Sequence, residues 1–180
     1  MKNYNIKQLV EVYPFLLPRN VFTDELDKSY NYTYCRGLYE LPDGWHELFL
    51  QMCSDLRQEL VKCDYLDKFR FTQIKEKFGE MRCYTNGAPE SVHAIIDKYT
   101  VMSKYVCCVC GKPANYITQG WIEPYCKNCL ETKINAYKRV WRVPKKYTLQ
   151  IYKEGKWHKR TINYKEEWSR YIKRVENVKV

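Results

Sequence analysis

The 180-residue sequence predicts an α+β fold: two amphipathic helices packed on a β-hairpin, a four-cysteine ribbon, and a basic C-terminal β-hairpin plus helix. Three observations predict it. Apolar residues recur at intervals of three and four in two segments and at intervals of two elsewhere. Four cysteines form two C-x-x-C pairs, and the net charge of +10 is concentrated near the C-terminus. The predicted divisions are a core at 1–106, a ribbon at 107–134 and an appendage at 135–180.

The N-terminal segment predicts little regular structure before residue 43. A short helix is expected at Ile6–Val12, because Pro14 and Pro18 disfavour helical backbone at the residues before them. An extended segment should follow this helix. Residues 18–42 are expected to form a loop.

Two longer segments show the period of an amphipathic helix. Asp43 is a residue type that caps helices, and the segment after it carries the apolar stripe Trp45, Leu48, Phe49, Met52, Leu56 and Leu60. Pro89 suits the first turn of a second helix, whose stripe is Val92, Ile95, Ile96, Tyr99 and Met102. We expect the core to contain Trp45, Leu48, Phe49, Met52, Leu56, Ile95, Ile96 and Tyr99.

A β-hairpin is predicted between these helices. Phe69 and Phe71 alternate with polar residues, and the alternation resumes over residues 81–84, with Asn86 and Gly87 closing the hairpin. Charged residues are expected to stabilise the hairpin by cross-strand pairing; they are Lys75, Glu76, Lys77 and Arg82.

Four cysteines predict a metal site: Cys107, Cys110, Cys126 and Cys129. Their two C-x-x-C pairs are separated by fifteen residues, which is the spacing of a zinc ribbon. Two intervening residues allow both thiolates of a pair to reach one ion at about 2.3 Å. Gly111 follows the first pair, where a positive φ angle is often needed. Four thiolates close a tetrahedral shell, so we expect one structural zinc ion per chain.

Alternatives remain open for these thiols. The four cysteines could be buried thiols or a redox pair, although the doubled spacing favours a metal. Cys108 could replace Cys107 in the first pair, but the two-residue gap fits better, and Cys108 is expected to pack as a small hydrophobic residue. Nine cysteines in total leave an odd thiol, which indicates a reducing compartment.

Further elements are predicted in the ribbon and the appendage. A small hairpin is expected in the ribbon from residues 116–118 and 121–122 around Gln119 and Gly120, followed by a helix to about Arg139. In the appendage, strands are expected at 147–153 and 156–162, with a helix from Tyr164.

The charge distribution separates the appendage from the rest of the chain. Residues 1–134 carry 17 basic and 17 acidic side chains, whereas residues 135–180 carry 14 basic and 4 acidic ones. Tyrosines and tryptophans alternate with these basic residues, so the appendage is expected to contact an anionic partner. The expected contact residues are Lys145, Lys146, Trp157, Lys159 and Arg160.

No catalytic residue is predicted. The histidines His46, His93 and His158 are isolated, and no Gly-rich phosphate loop or activated serine occurs at a meaningful spacing. The carboxylates have basic neighbours, as on an exposed surface; they include Asp64, Asp67, Glu76 and Glu80. The N-terminus lacks an apolar run that would suit a signal peptide or a membrane span, so we expect a soluble intracellular protein without a membrane partner.

The motifs together resemble a family of small tailed-phage and prophage zinc-ribbon proteins with a KEKFG motif. They are Tyr13-Pro14, Asp43-Gly44-Trp45, IKEKFG at 74–79 with Arg82 and Tyr84, and the cysteine pairs with a tryptophan between them. The resemblance covers about residues 10–130 and excludes the basic tail. Size and zinc site are similar to those of a streptococcal-phage anti-CRISPR protein that inhibits the type II effector nuclease. That resemblance implies binding to the recognition lobe of the nuclease, blocked loading of target DNA, and action in the cytoplasm of the host bacterium.

Two binding functions are therefore expected as alternatives. One is a phage-encoded inhibitor that binds the CRISPR effector nuclease directly. The other is a nucleic-acid-binding zinc protein, because basic residues alternating with aromatic ones can neutralise phosphates and stack on bases.

Overall fold

The computed structural model describes residues 4–20, 22–132, 140–142, 146–153 and 156–163. These residues form a mixture of helices and antiparallel strands, as the sequence predicts at the level of fold class. The helices are α1 Ile6–Val12, α2 His46–Lys62, α3 Glu90–Ser103 and α4 Lys127–Glu131. The strands are β1 Phe71–Lys77, β2 Glu80–Thr85, β3 Tyr116–Thr118, β4 Pro124–Tyr125, β5 Val140–Arg142, β6 Lys146–Lys153 and β7 Lys156–Asn163.

Helix α1 has the predicted bounds, but the segment after it is not extended. Asn5 caps the helix, because its side-chain oxygen accepts a hydrogen bond from Gln8 N at 3.1 Å. A 3-10 turn then forms at Pro14–Leu16. It buries Phe15 in edge-on contacts with Phe69 and Phe71, at centroid distances of 5.4 and 5.8 Å. The residues that precede the two prolines, Tyr13 and Leu17, keep non-helical backbone, and the turn forms between them at positions that the prolines do not restrict.

Helix α2 supplies the centre of the core. A 3-10 turn at Asp43–Trp45 precedes it, so Trp45 and not Asp43 occupies the N-cap position of the α-helix. The predicted stripe is fully buried: Trp45, Leu48, Phe49, Met52, Leu56 and Leu60. The apolar period of the sequence therefore identifies the face of α2 that lies against the rest of the core.

Helix α3 packs beside α2, as its apolar stripe suggests. Pro89 is its N-cap residue, and most of the predicted stripe is buried, whereas Ile95 is only half-buried. The hydroxyl of Tyr99 donates a hydrogen bond to the Asp55 carboxylate at 2.8 Å. This polar contact fixes α3 to α2 at one point along their shared apolar surface.

The predicted hairpin is formed by β1 and β2. Ile74 lies opposite Cys83 and Lys77 opposite Glu80 in the antiparallel register. Its open end is closed by Asn86, whose side chain accepts from Arg70 N at 3.0 Å and donates to Lys68 O at 2.9 Å. These bonds confirm the role assigned to Asn86.

The charged residues of the hairpin are arranged differently from the prediction. Lys75 lies opposite Arg82, a like-charged residue, and the Glu76 carboxylate accepts from Gly79 N at 2.8 Å. Glu80 was expected on the surface but is only 6% exposed. It forms ion pairs with Arg82 and Lys104, and these two cations compensate its burial.

The ribbon contains a sheet with the order β4-β3-β5. The prediction placed the second ribbon strand at residues 121–122, but Tyr116 pairs with Tyr125 and Ile117 with Pro124. The buried Thr118 explains the longer turn: its hydroxyl donates to Trp121 O at 2.6 Å and accepts from Glu123 N at 2.9 Å. Strand β5 joins the other edge of β3.

The predicted strands of the appendage pair as β6 and β7. The ribbon helix is described only as α4, because residues 133–139 lie outside the described part of the chain, as does the helix predicted from Tyr164. In the ranges that the structure describes, no helix is both long enough and apolar enough to cross a bilayer.

We expect Leu56→Ala to lower the free energy of unfolding by roughly 2 to 5 kcal/mol, because it leaves a cavity at a fully buried position. Val61→Ala, on the same helix at a side chain that is 54% exposed, is the matched control and should cost about 0.5 kcal/mol or less. Urea denaturation measures both. Equal effects of the two substitutions would contradict this description of the core.

Candidate metal centre

The first cysteine pair lies in a tight turn directly after α3. Cys107 N donates to Lys112 O at 2.8 Å, and Gly111 N donates back to Cys107 O at 3.0 Å. Gly111 has a φ angle of +74°, which confirms the predicted positive φ. The bridge between Val106 and Pro113 closes the base of the turn. These backbone hydrogen bonds therefore hold Cys107 and Cys110 in one tight loop.

The second pair lies at the start of α4. Strand β4 leads into Cys126, which is the N-cap residue of this helix. The Cys126 sulfur accepts from Cys129 N at 3.4 Å, as a side chain at an N-cap position does. Asn115 also orients the helix, because its side-chain oxygen accepts from Lys127 N at 3.2 Å. The cap thus places both sulfurs of the pair on the side facing the first turn.

The four predicted sulfurs converge. The Sγ atoms of Cys107, Cys110, Cys126 and Cys129 all lie within 4.8 Å of one another. The Cys110 and Cys126 sulfurs are 3.6 Å apart. In a tetrahedral site with metal–sulfur bonds of about 2.3 Å, two sulfurs are separated by about 3.8 Å. The four sulfurs therefore lie close enough together to hold a single metal ion.

The thiols of the cluster differ in acidity. Burial would raise the pKa of Cys126, but the hydrogen bond from Cys129 N and the neighbouring thiols lower it overall. Burial and the adjacent sulfurs raise the pKa of Cys129. The Cys126 thiol thus loses its proton more readily than the Cys129 thiol, and a bound cation would favour the thiolate form of the ligands.

Cys108 lies outside the cluster, as predicted. It is buried, and burial raises the pKa of its thiol to about 12. Its backbone is engaged instead: Cys108 N donates to Pro124 O at 3.0 Å, and its carbonyl accepts from Gly44 N at 2.9 Å. Cys108 therefore joins the two halves of the ribbon and the core through its main chain.

The contact with Gly44 was missed by the sequence analysis. A Cβ atom on Gly44 would lie 2.2 Å from Cys107 O and 2.7 Å from Cys108 C, so no side chain fits there. Next to it, the Trp45 indole donates to Val106 O at 2.9 Å. The available signal was the glycine-tryptophan pair before an amphipathic helix, but nothing local in the sequence specifies a partner 61 residues away.

The residues predicted for partner binding lie on or beside the β6–β7 hairpin. Lys145 lies outside the described residues, and only the backbone is described at Lys146, Trp157 and Arg160. Lys159 is exposed. Position 146 lies opposite position 163, so these two positions are on the same face of the hairpin. Alternate positions of a strand share a face, so positions 157 and 159 are on that face too, whereas position 160 is on the other.

The histidines play no part in the cysteine cluster within the described residues. His46 is buried, with Nε2 3.1 Å from Leu41 O, which is a structural contact. His93 and His158 are exposed on α3 and β7.

A comparison of the chain with protein-family profiles, curated proteins and solved structures finds no match. The geometry of the cluster and the charge of the described elements are therefore the basis for assigning a function.

We expect Cys126→Ser to abolish stoichiometric metal binding, because the site loses one of its four thiolate ligands. The melting temperature should fall as well, because the two cysteine turns would no longer be joined through a shared ion. Cys108→Ser is the matched control, since it changes an adjacent buried thiol outside the cluster and should leave metal content unchanged. Elemental analysis and thermal melting give the answer. Loss of metal in the Cys108 variant but not in the Cys126 variant would refute the ligand assignment.

Proposed function

We propose that the four cysteines bind one zinc ion per chain and that the ion is structural. Four converging thiolates form a soft donor set that suits zinc, and the 3.6 Å separation of two of the sulfurs fits a tetrahedral shell. A shell of four protein ligands has no open position for a substrate or an activated water. We therefore propose that the protein acts by binding a partner and not by catalysis.

The β6–β7 hairpin is the element best suited to binding an anionic partner. Its two strands together comprise 16 residues, of which five are basic and none is acidic, while Glu154 lies between the strands in the sequence. Lys153 lies directly opposite Lys156, a like-charged pair that destabilises a free hairpin. Lys156, His158, Lys159 and Thr161 are exposed, and their positions alternate between both faces of the strand. An anionic partner would reduce the repulsion between Lys153 and Lys156.

Nucleic acid is the partner class that this charge pattern favours. A two-stranded β-ribbon fits the major groove of a duplex, and lysines along it can neutralise backbone phosphates. The opposed pair of like charges, Lys153 and Lys156, is the observation that carries this proposal. Zinc would stabilise the body of the protein, residues 4–20 and 22–132. Strand β5 pairs with β3 of this body and precedes the β6–β7 hairpin in the chain, so it connects the hairpin to the zinc site.

Replacement of both Lys156 and Lys159 by Gln should weaken binding of a fluorescein-labelled DNA duplex and flatten its salt dependence. If each lysine neutralises one phosphate, the slope of log K against log salt concentration falls in magnitude by about 1.8. Fluorescence anisotropy between low and moderate salt measures the slope.

The matched control replaces Lys62 and Lys127 by Gln, two exposed lysines on α2 and α4. This control removes the same charge from the body of the protein and should leave the slope nearly unchanged. An identical loss in both double variants would show a diffuse effect of net charge. It would contradict a binding site on the hairpin.

A second candidate function is inhibition of a type II CRISPR effector nuclease by direct binding. Exposed aromatic residues outside the β6–β7 hairpin support it. Trp121 is 69% exposed and Phe78 66% exposed, and such side chains are typical anchors of protein interfaces. The assay mixes the protein with guide-loaded nuclease before target DNA is added. This candidate predicts slowed cleavage that Trp121→Ala and Phe78→Ala relieve. Uninhibited cleavage by the unmodified protein would exclude it.

A further inference from the structure

A cavity of about 160 Å³ lies where the segment after the first 3-10 turn meets the β1–β2 hairpin. Among the described residues, none that lines it belongs to the cysteine cluster or to the β6–β7 hairpin. One part of its wall is apolar, from Leu17 and Phe71. The polar part of the wall is formed by Arg19, Asn20, Asp24, Arg70, Thr72 and Asn86.

The cavity has an excess of positive charge. Arg70 Nε donates to the Asp24 carboxylate at 3.2 Å. Arg19 Nη1 donates to the Asp24 backbone carbonyl at 2.6 Å and lies 4.0 Å from the carboxylate. Two guanidinium cations therefore share one carboxylate. The charged residues of the wall therefore sum to one positive charge.

A donor is also left without an acceptor in this wall. The Nε atom of Arg19 is buried and has no hydrogen-bond partner among the described residues. A buried donor of this kind costs folding free energy when it lacks an acceptor. An oxyanion that enters the cavity would neutralise the excess positive charge of the wall.

The loop that carries Asp24 is held in place by its own hydrogen bonds. Asn20 accepts from Phe22 N at 2.8 Å and from Thr23 N at 3.2 Å, and Asp24 N donates to Asn20 O at 2.9 Å. Asp24 has a φ angle of +56°, a left-handed conformation that aspartate and asparagine adopt more readily than most residues with a side chain. The polar groups around the cavity are thus positioned before any ligand binds, which lowers the entropic cost of binding.

We propose that this cavity binds a phosphate group. Two arginines approaching from different segments suit a tetrahedral oxyanion, and the hydroxyl of Thr72 and the amides of Asn20 and Asn86 line the same space. The apolar wall would accommodate the carbon skeleton of a phosphate ester. The site is independent of the nucleic-acid contact proposed for the hairpin, and either proposal can fail without the other.

The test is a titration of the ¹⁵N-labelled protein with inorganic phosphate at constant ionic strength, followed by NMR. Saturable shifts are expected at the amides of Asn20, Thr72 and Asn86. Arg70→Gln should weaken binding roughly tenfold or more, because it removes a charged donor. Asp24→Asn should tighten binding several-fold, because it removes the competing charge, while asparagine suits the backbone at this position.

Arg57→Gln is the matched control, since Arg57 likewise donates to a backbone carbonyl, Val12 O at 3.0 Å, but does not line the cavity. Its affinity for phosphate should be unchanged. Three outcomes would each overturn the site: no saturable shift, equal weakening by Arg57→Gln and Arg70→Gln, or weakening by Asp24→Asn, which would indicate a purely structural ion pair.

A competition experiment distinguishes the sources of phosphate. An oligonucleotide with a 5′-phosphate is compared with the same oligonucleotide without it, each against bound inorganic phosphate. Displacement by the phosphorylated form alone would assign the site to the end of a nucleic acid. Displacement by neither would assign it to free phosphate or to a smaller ester.

Discussion

The contact between the first cysteine turn and the start of α2 is the constraint on which the arrangement of the body depends. The backbone of Cys107 and Cys108 lies so close to Gly44 that no side chain fits between them. Two hydrogen bonds reinforce this contact. Gly44 N donates to Cys108 O and the Trp45 indole donates to Val106 O, both at 2.9 Å. The cysteine cluster is therefore attached directly to the helix that forms the centre of the core.

This attachment explains how a small metal site can influence the whole body. Binding of a structural metal ion contributes folding free energy on the order of 10 kcal/mol in small domains. An ion held by this cluster would act on α2 through the contact at Gly44. A second attachment lies at the end of α3, where Ser103 accepts from Met81 N at 2.8 Å and Lys104 pairs with the buried Glu80. The hairpin, α2 and the ribbon consequently meet around the chain segment that leads into Cys107.

The sequence predicts those features that depend on local pattern. The stripes of α2 and α3 and the spacing of the cysteines each reflect neighbours along the chain, and the structure buries the α2 stripe and most of the α3 stripe and brings the four cysteines together. Strand β1 departs from strict alternation, because a register shift between Phe71 and Gln73 leaves Phe71 and Ile74 buried three residues apart. The errors concern specific side-chain contacts, one between separate segments and one within a turn. Burial of Glu80 depends on Lys104, and the longer turn before β4 depends on the side chain of Thr118, so neither could be recognised from the hydropathy pattern alone. The surfaces proposed for partner binding also depend on where individual side chains lie in the fold, which the hydropathy pattern does not show.

Hydrogen exchange at Gly44 and Trp45 tests most directly whether the metal holds the ribbon against the core. The Gly44 amide and the Trp45 indole should be protected in the metal-bound protein and should exchange roughly tenfold faster or more after a chelator removes the metal. Amides in the middle of α2, such as that of Leu56, should keep more of their protection, because packing against α3 remains. Unchanged protection at Gly44 and Trp45, with loss of metal verified by elemental analysis, would contradict the coupling between the metal centre and the core.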